Sequence, residues 1–213
     1  MPAAPGGSVA VLKIAFVGTH GVGKTTLCYE LAAWMKKRDA RVEMVREVAR
    51  RCPLPINRDT TLDAQSWILH TQIAEEIRVA NEQDVVICDR SVMDNYAYLV
   101  HRLGPQRILD DLVRRWARTY THLIKVPIVD PPSFDGVRDT NRRFQEAIES
   151  EVEALVSRFE LRMERLVSER RARWIEDVAG IVGLPPAPSQ MRLFSPGGGE
   201  GTNAGREAPK EGP

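Results

Sequence analysis

The sequence predicts an α/β fold, with a parallel β-sheet wound on both faces by helices and one segment left over as a lid. Three observations predict it. Short, nearly continuous apolar runs rich in β-branched residues recur along the chain, as in strands covered on both faces. Between them lie stretches whose apolar residues return every three or four positions, the spacing of amphipathic helices. Their alternation implies crossover connections and parallel pairing. At the first crossover sits a glycine-rich octapeptide ending in Lys-Thr.

Residues 9–17 (VAVLKIAFV) read as the first, central strand. After the glycine segment, Leu27, Leu31, Trp34 and Met35 recur at helical spacing, and Lys36, Lys37 and Arg38 stand where cations complement a helix dipole. Residues 41–45 (RVEMV) form a second strand, with Arg46, Glu47 and Arg50 just beyond it and Pro53 and Pro55 breaking the chain. Leu62, Trp67, Ile68, Ile73, Ile77 and Ala80 mark a long helix carrying Gln65 and Gln72. Residues 84–89 (DVVICD) are a buried strand ending in a carboxylate. Helices over 92–102 and 107–118, parted at Gly104-Pro105, precede a strand over 121–126. Residues 127–141 are aperiodic and rich in Pro and Asp, and form the lid segment. One long helix is expected over 142–171, with Phe144, Ile148, Val152, Leu155, Phe159, Met163 and Leu166 on its stripe, and a last strand over 173–178. Beyond 185 the Gly- and Pro-rich composition buries too little surface to repay the entropy of ordering. The expected organisation is a flexible start over 1–10, a domain over 11–184 and a disordered tail over 185–213.

A net charge of +1 gives no global electrostatic reason to bind nucleic acid or an anionic membrane. No apolar run approaches the ~18 residues of a membrane span, and the start lacks the basic and apolar regions of a signal peptide. Cys28, Cys52 and Cys88 form no CxxC pair, and two of them lie in apolar segments, so a reducing, cytoplasmic compartment is expected. His20, His70, His101 and His122 have no metal-ligand spacing, which argues against zinc or iron.

The chemistry concentrates in Gly18-Thr19-His20-Gly21-Val22-Gly23-Lys24-Thr25, which fits GxxxxGK[ST] between a buried strand and a helix. Backbone amides of such a P-loop, extended here to Thr26, wrap nucleotide phosphates at the positive end of the helix dipole. Lys24 neutralises charge on the β- and γ-phosphates, and Thr25 offers its hydroxyl to Mg²⁺. Asp89, at the carboxyl edge of its strand, faces the same crevice and can hold Mg²⁺ directly or through water. Arg90 beside it is available to an acceptor phosphate or hydroxyl. Two readings stand for Glu47: a base over the acceptor pocket, or a helix-start carboxylate paired with Arg50. Arg50 is itself a candidate for the acceptor pocket. Arg138, Arg142 and Arg143 either close over the triphosphate, or sit on a solvated helix start with pairs such as Arg142 to Glu146. Gln72, and with it Gln65, either reads an amide edge by paired hydrogen bonds or is an inert surface residue.

Taken with VREVAR, the spaced glutamines of the 65–76 helix, ICDRS and DGVRDTNRRF, the P-loop GTHGVGKTTL resembles that of the nicotinamide riboside kinase-like P-loop ATPases, ATP-binding proteins of the AAA type. The sequence is similar also to thymidylate and deoxynucleoside kinases, and the DRS triplet leans that way. The resemblance spans residues 13–178 and implies a P-loop NTPase fold with five parallel strands in order 2-3-1-4-5. It implies that Lys24 and Thr25 hold ATP and Mg²⁺, that Asp89 sits at the metal or acceptor, that Glu47 lies by the acceptor, and that Arg138 and Arg142 belong to the lid. The expected activity is transfer of the γ-phosphoryl of Mg-ATP to a small nucleoside-like acceptor. The alternative is a nucleotide-dependent switch with no small acceptor, although the guanine-reading NKxD is absent; a nucleic-acid motor would need a basic groove that is not visible. A homodimer is compatible with the sequence; a membrane partner is not expected.

Overall fold

A computed structural model describes residues 11–56, 59–129 and 142–184. The predicted flexible start, the lid with Arg138 and the tail lie outside the described residues.

Strands β1 (Leu12–Val17), β2 (Val42–Val45), β3 (Val85–Asp89), β4 (His122–Lys125) and β5 (Glu164–Arg165) make one parallel sheet in the order β2-β3-β1-β4-β5, as the sequence implies. The central place of β1 follows from its composition, since five of its six residues are buried. Its side chains divide by the two-residue period of a strand. Ile14 and Phe16 pack with Leu27, Leu31 and Met35 of α1 (Lys24–Lys36) and Trp174 and Val178 of α6 (Trp174–Ile181). Ala15 and Val17 face the other layer, with Leu69 of α2 (Leu62–Glu82), Tyr96 of α3 (Val92–Leu103), Val113 of α4 (Arg107–Ala117) and Ile148 of α5 (Arg142–Arg158).

Caps set the helix starts. Thr61 accepts the amide of Ala64 to begin α2. Ser91 and Asp94 form a reciprocal capping box at the head of α3. No helix among the described residues is long and apolar enough to cross a membrane, and all three cysteines are free thiols.

Two expectations fail near the carboxyl end. The helix predicted over 142–171 stops at Arg158. There Leu161 N–H bonds Val156 C=O (3.0 Å) and Glu160 N–H bonds Ser157 C=O (3.1 Å), a closure of the Schellman type with Glu160 at φ +53°. The apolar stripe continues through it because Phe159, Met163 and Leu166 are still buried, but from a turn, the residue before β5 and the residue after it. The strand predicted over 173–178 is α6: Trp174 and Val178 are buried one helical turn apart, a spacing that a period-two reading overlooks. Glutamate is ill suited to a left-handed position that glycine occupies freely. Glu160→Gly is therefore expected to raise stability by about 0.5–1 kcal/mol, read as a higher denaturant midpoint.

Candidate functional site

At the end of β1 the chain must turn under the sheet edge, and Gly18 permits it. A Cβ there would stand 2.7 Å from the Val126 carbonyl oxygen, at φ +141°. The Gly18 amide donates to Asp94 Oδ1 (2.7 Å), while Asp94 Oδ2 accepts from Ser91 N and Ser91 Oγ (both 2.8 Å). One buried carboxylate thus caps α3 and anchors the loop. On the other flank Gln145 Nε2 donates to the His20 carbonyl (2.8 Å), and the His20 ring meets the Tyr98 hydroxyl at 2.9 Å.

Lys24 opens α1 behind Gly23, and its ammonium donates to the carbonyls of Gly18 (2.8 Å) and Thr19 (2.6 Å). Burial and then the Arg90 charge lower its pKa to about 8, against the opposing pull of Asp94, Asp89 and Glu47. Parallel pairing in register brings Asp89 level with Phe16, hence to the same sheet edge as the loop. Thr25 Oγ1 donates to Asp89 Oδ2 at 2.6 Å. A cavity of about 120 Å³ lies here, lined by the loop, Asp89, Arg90, Glu47 and Arg171.

Beside it, Arg90 Nε donates to Glu47 Oε1 and Arg50 Nε to Glu47 Oε2, each at 2.7 Å. Burial works to raise the Glu47 pKa, but the charges of Arg90 and Lys24 and the hydrogen bonds from Arg50 and Arg90 hold it well below the usual carboxylate range. The Arg90 guanidinium sits 5.4 Å from the centre of the Tyr98 ring. A second cavity is lined by His20, Glu47, Gln65, Ile68, Arg90, Asn95 and Tyr98. Three of those residues keep a buried polar atom without a partner: Gln65 Oε1, Asn95 Nδ2 and Arg90 Nη1. Buried polar groups are rarely left unpaired, so these atoms describe the ligand the cavity suits.

A family model described as an AAA domain matches residues 13–176. The chain belongs to the AAA-domain family. Solved structures share the fold. A deoxyadenosine kinase from M. mycoides with bound dATP superposes with a TM-score of 0.56 at 15% identity, over 81% of this chain and 99% of that one. A NadR protein in complex with NAD and AMP-PNP gives 0.61 at 17%, over 83% of this chain and 51% of that one. These agree with the P-loop fold that the resemblance read from the sequence implies. No curated protein matches the sequence.

Within the AAA-domain chain, the predicted residues His20, Gly21, Gly23, Lys24, Thr25, Thr26, Asp89, Arg90, Glu47 and Arg50 converge on the two cavities, whereas Gly18, Thr19 and Val22 line neither. Gln72 does not line either: it is fully buried, and its amide nitrogen is committed to Glu76 Oε1 (2.9 Å) and the Arg90 carbonyl (3.3 Å). Gln65 takes the cavity position instead. Arg142 is exposed and paired with Glu146 at 2.9 Å, the solvated alternative, and is not among the residues lining either cavity. Sequence reasoning missed Asp94, although Ser91 with an acid three residues on is a legible cap. It also missed Asn95, Tyr98 and Gln145, the last a polar residue at a fully buried position of α5. Arg171 stayed hidden because its segment read as a continuous helix.

For Mg²⁺ the donor chemistry fits. Thr25 Oγ1 and Asp89 Oδ2 are hard oxygens converging at the mouth of the loop. Among the described residues no group of three His, Cys, Asp or Glu could cage a metal.

Proposed function

We propose that this chain transfers the γ-phosphoryl group of Mg-ATP to the hydroxyl of a small nucleoside-like acceptor. The single observation that carries the reading is that the phosphate-loop cavity and the second cavity share a wall, made of His20, Glu47 and Arg90. The second cavity is about 30 Å³ as it stands and would have to widen for an acceptor to meet a donor across that wall.

Each residue has a role suited to its setting. Lys24 leaves the loop carbonyls to follow the charge that moves between β- and γ-phosphates. Thr25 and Asp89 hold Mg²⁺, which when bound offsets the negative charge of the phosphates. Arg90 directs its unpaired Nη1 at the acceptor side. Glu47, with both oxygens engaged by arginines, is too weak a base to strip a hydroxyl unaided; it orients the attacking oxygen, which suffices for a loose transition state with little demand on a base. Gln65 Oε1 accepts and Asn95 Nδ2 donates, a pair that complements the donor and acceptor edge of a nucleobase or carboxamide. Bound dATP in one structural neighbour and NAD with AMP-PNP in another support a nucleoside-like ligand. Arg171 supplies a further cation at the phosphate cavity.

The test is ADP release from Mg-ATP with a panel of nucleosides, nucleotides and ribosides. One acceptor class is expected to stimulate the rate at least about tenfold, because positioning the acceptor is the main catalytic device. A flat rate across the panel would discard the acceptor and leave a nucleotide-dependent switch.

A further inference from the structure

Arg90 is strained, and nothing in the phosphoryl-transfer reading explains what keeps it so. Its φ is +88°, a region that is costly for a non-glycine residue and persists only where the surroundings over-determine it. Its side chain is fixed by Glu47 and Tyr98. Its carbonyl is fixed by Gln72.

Gln72 is in turn held by a carboxylate the proposed chemistry does not use. Glu76, one turn along α2 and fully buried, accepts from four donors. Oε2 takes Lys13 Nζ (3.2 Å) and Trp116 Nε1 (2.7 Å); Oε1 takes the Tyr120 hydroxyl (2.7 Å) and Gln72 Nε2 (2.9 Å). Lys13 comes from β1, Trp116 from α4 and Tyr120 from the approach to β4, so Glu76 is immobilised by three separate elements. A carboxylate this thoroughly bonded is a fixed point. It leaves the Gln72 amide one hydrogen to spend elsewhere, and that hydrogen goes to the Arg90 carbonyl.

We infer that Gln72, fastened to Glu76, is a positioning residue that holds the Arg90 peptide in its left-handed conformation and so aims the guanidinium along the wall between the two cavities. The functional half of this rests on the kinase reading; the conformational half does not.

Gln72→Met and Trp116→Phe each remove one donor from Glu76, but only the first also releases the Arg90 carbonyl. Amide hydrogen exchange over residues 89–92 should quicken about tenfold in Gln72→Met, the scale of one lost hydrogen bond, and stay within twofold in Trp116→Phe. Gln72→Asn, whose amide is drawn back by one methylene, should behave like Gln72→Met and serves if that variant does not fold. With the stimulating acceptor, Gln72→Met should raise the acceptor KM about tenfold and lower kcat by a similar factor, with the Kd for Mg-ATP unchanged within twofold. Unaltered exchange in both Gln72 variants, or equal acceleration in Trp116→Phe, overturns the inference whatever the acceptor proves to be. Faster exchange confined to the Gln72 variants, in a protein that no acceptor stimulates, upholds the positioning role and discards the kinase reading alone.

Discussion

Lys24→Ala is expected to lower ATP turnover at least about 100-fold while the protein stays folded. That factor is about 2.7 kcal/mol of transition-state stabilisation, a modest demand on an ammonium facing the charge that moves during phosphoryl transfer. The fold should tolerate the change because the loop has other anchors, at Gly18 to Asp94 and His20 to Gln145. Burial also disfavours the lysine's charge, as its pKa of about 8 shows, so removing it relieves a desolvation cost. ADP release measured beside a thermal melt checks both halves. Retained turnover would take Lys24 out of the mechanism.

Glu47→Gln is expected to cost about 3–5 kcal/mol of stability at neutral pH, the range for breaking a buried ion pair from one side. The loss comes from Arg90, which is 5% exposed and would keep its charge without the carboxylate bonded to it. The pH dependence has a defined sign. The folded-state pKa of Glu47 is depressed below its ordinary 4.5, so its stabilisation is complete above that value and drains away as pH falls through the lower folded value. Urea unfolding at pH 7 should show the midpoint of the variant well below that of the wild type, and the gap should close in strong acid. Equal midpoints at pH 7 would mean that the Glu47–Arg90 pair adds nothing to stability.

The sequence carried the first four strands and the phosphate loop because both depend on local signals, while the strand order came from the family resemblance. Continuous β-branched runs mark buried parallel strands, and GTHGVGKT has its glycines where the backbone needs them, as the 2.7 Å approach of a Gly18 Cβ to Val126 shows. Asp89 and Glu47 were legible for a related reason, since carboxylates just past strand ends come to one sheet edge when the strands run parallel. What escaped depends on contacts between distant segments. Whether Gln65 or Gln72 faces a cavity is a matter of one helical face against another, decided by the fully buried Glu76 that claims Gln72. The break after Arg158 is invisible in the apolar stripe, because Phe159 and Met163 stay buried in one core layer and Leu166 in the other, from a turn and from the residues flanking a two-residue strand. Arg171 reaches the loop only because of that break.

Asp94 has a further consequence. The helix that carries Asn95 and Tyr98 cannot slide against the turn that opens at Gly18 without severing the buried hydrogen bond from the Gly18 amide to Asp94, a carboxylate whose other oxygen Ser91 fixes at the head of the same helix. The phosphate loop and α3 are therefore tied at two points, Gly18 to Asp94 and the His20 ring to the Tyr98 hydroxyl. Two ties fix an orientation as well as a distance, so the cavity walls that His20, Glu47 and Arg90 share keep their spacing unless one tie breaks.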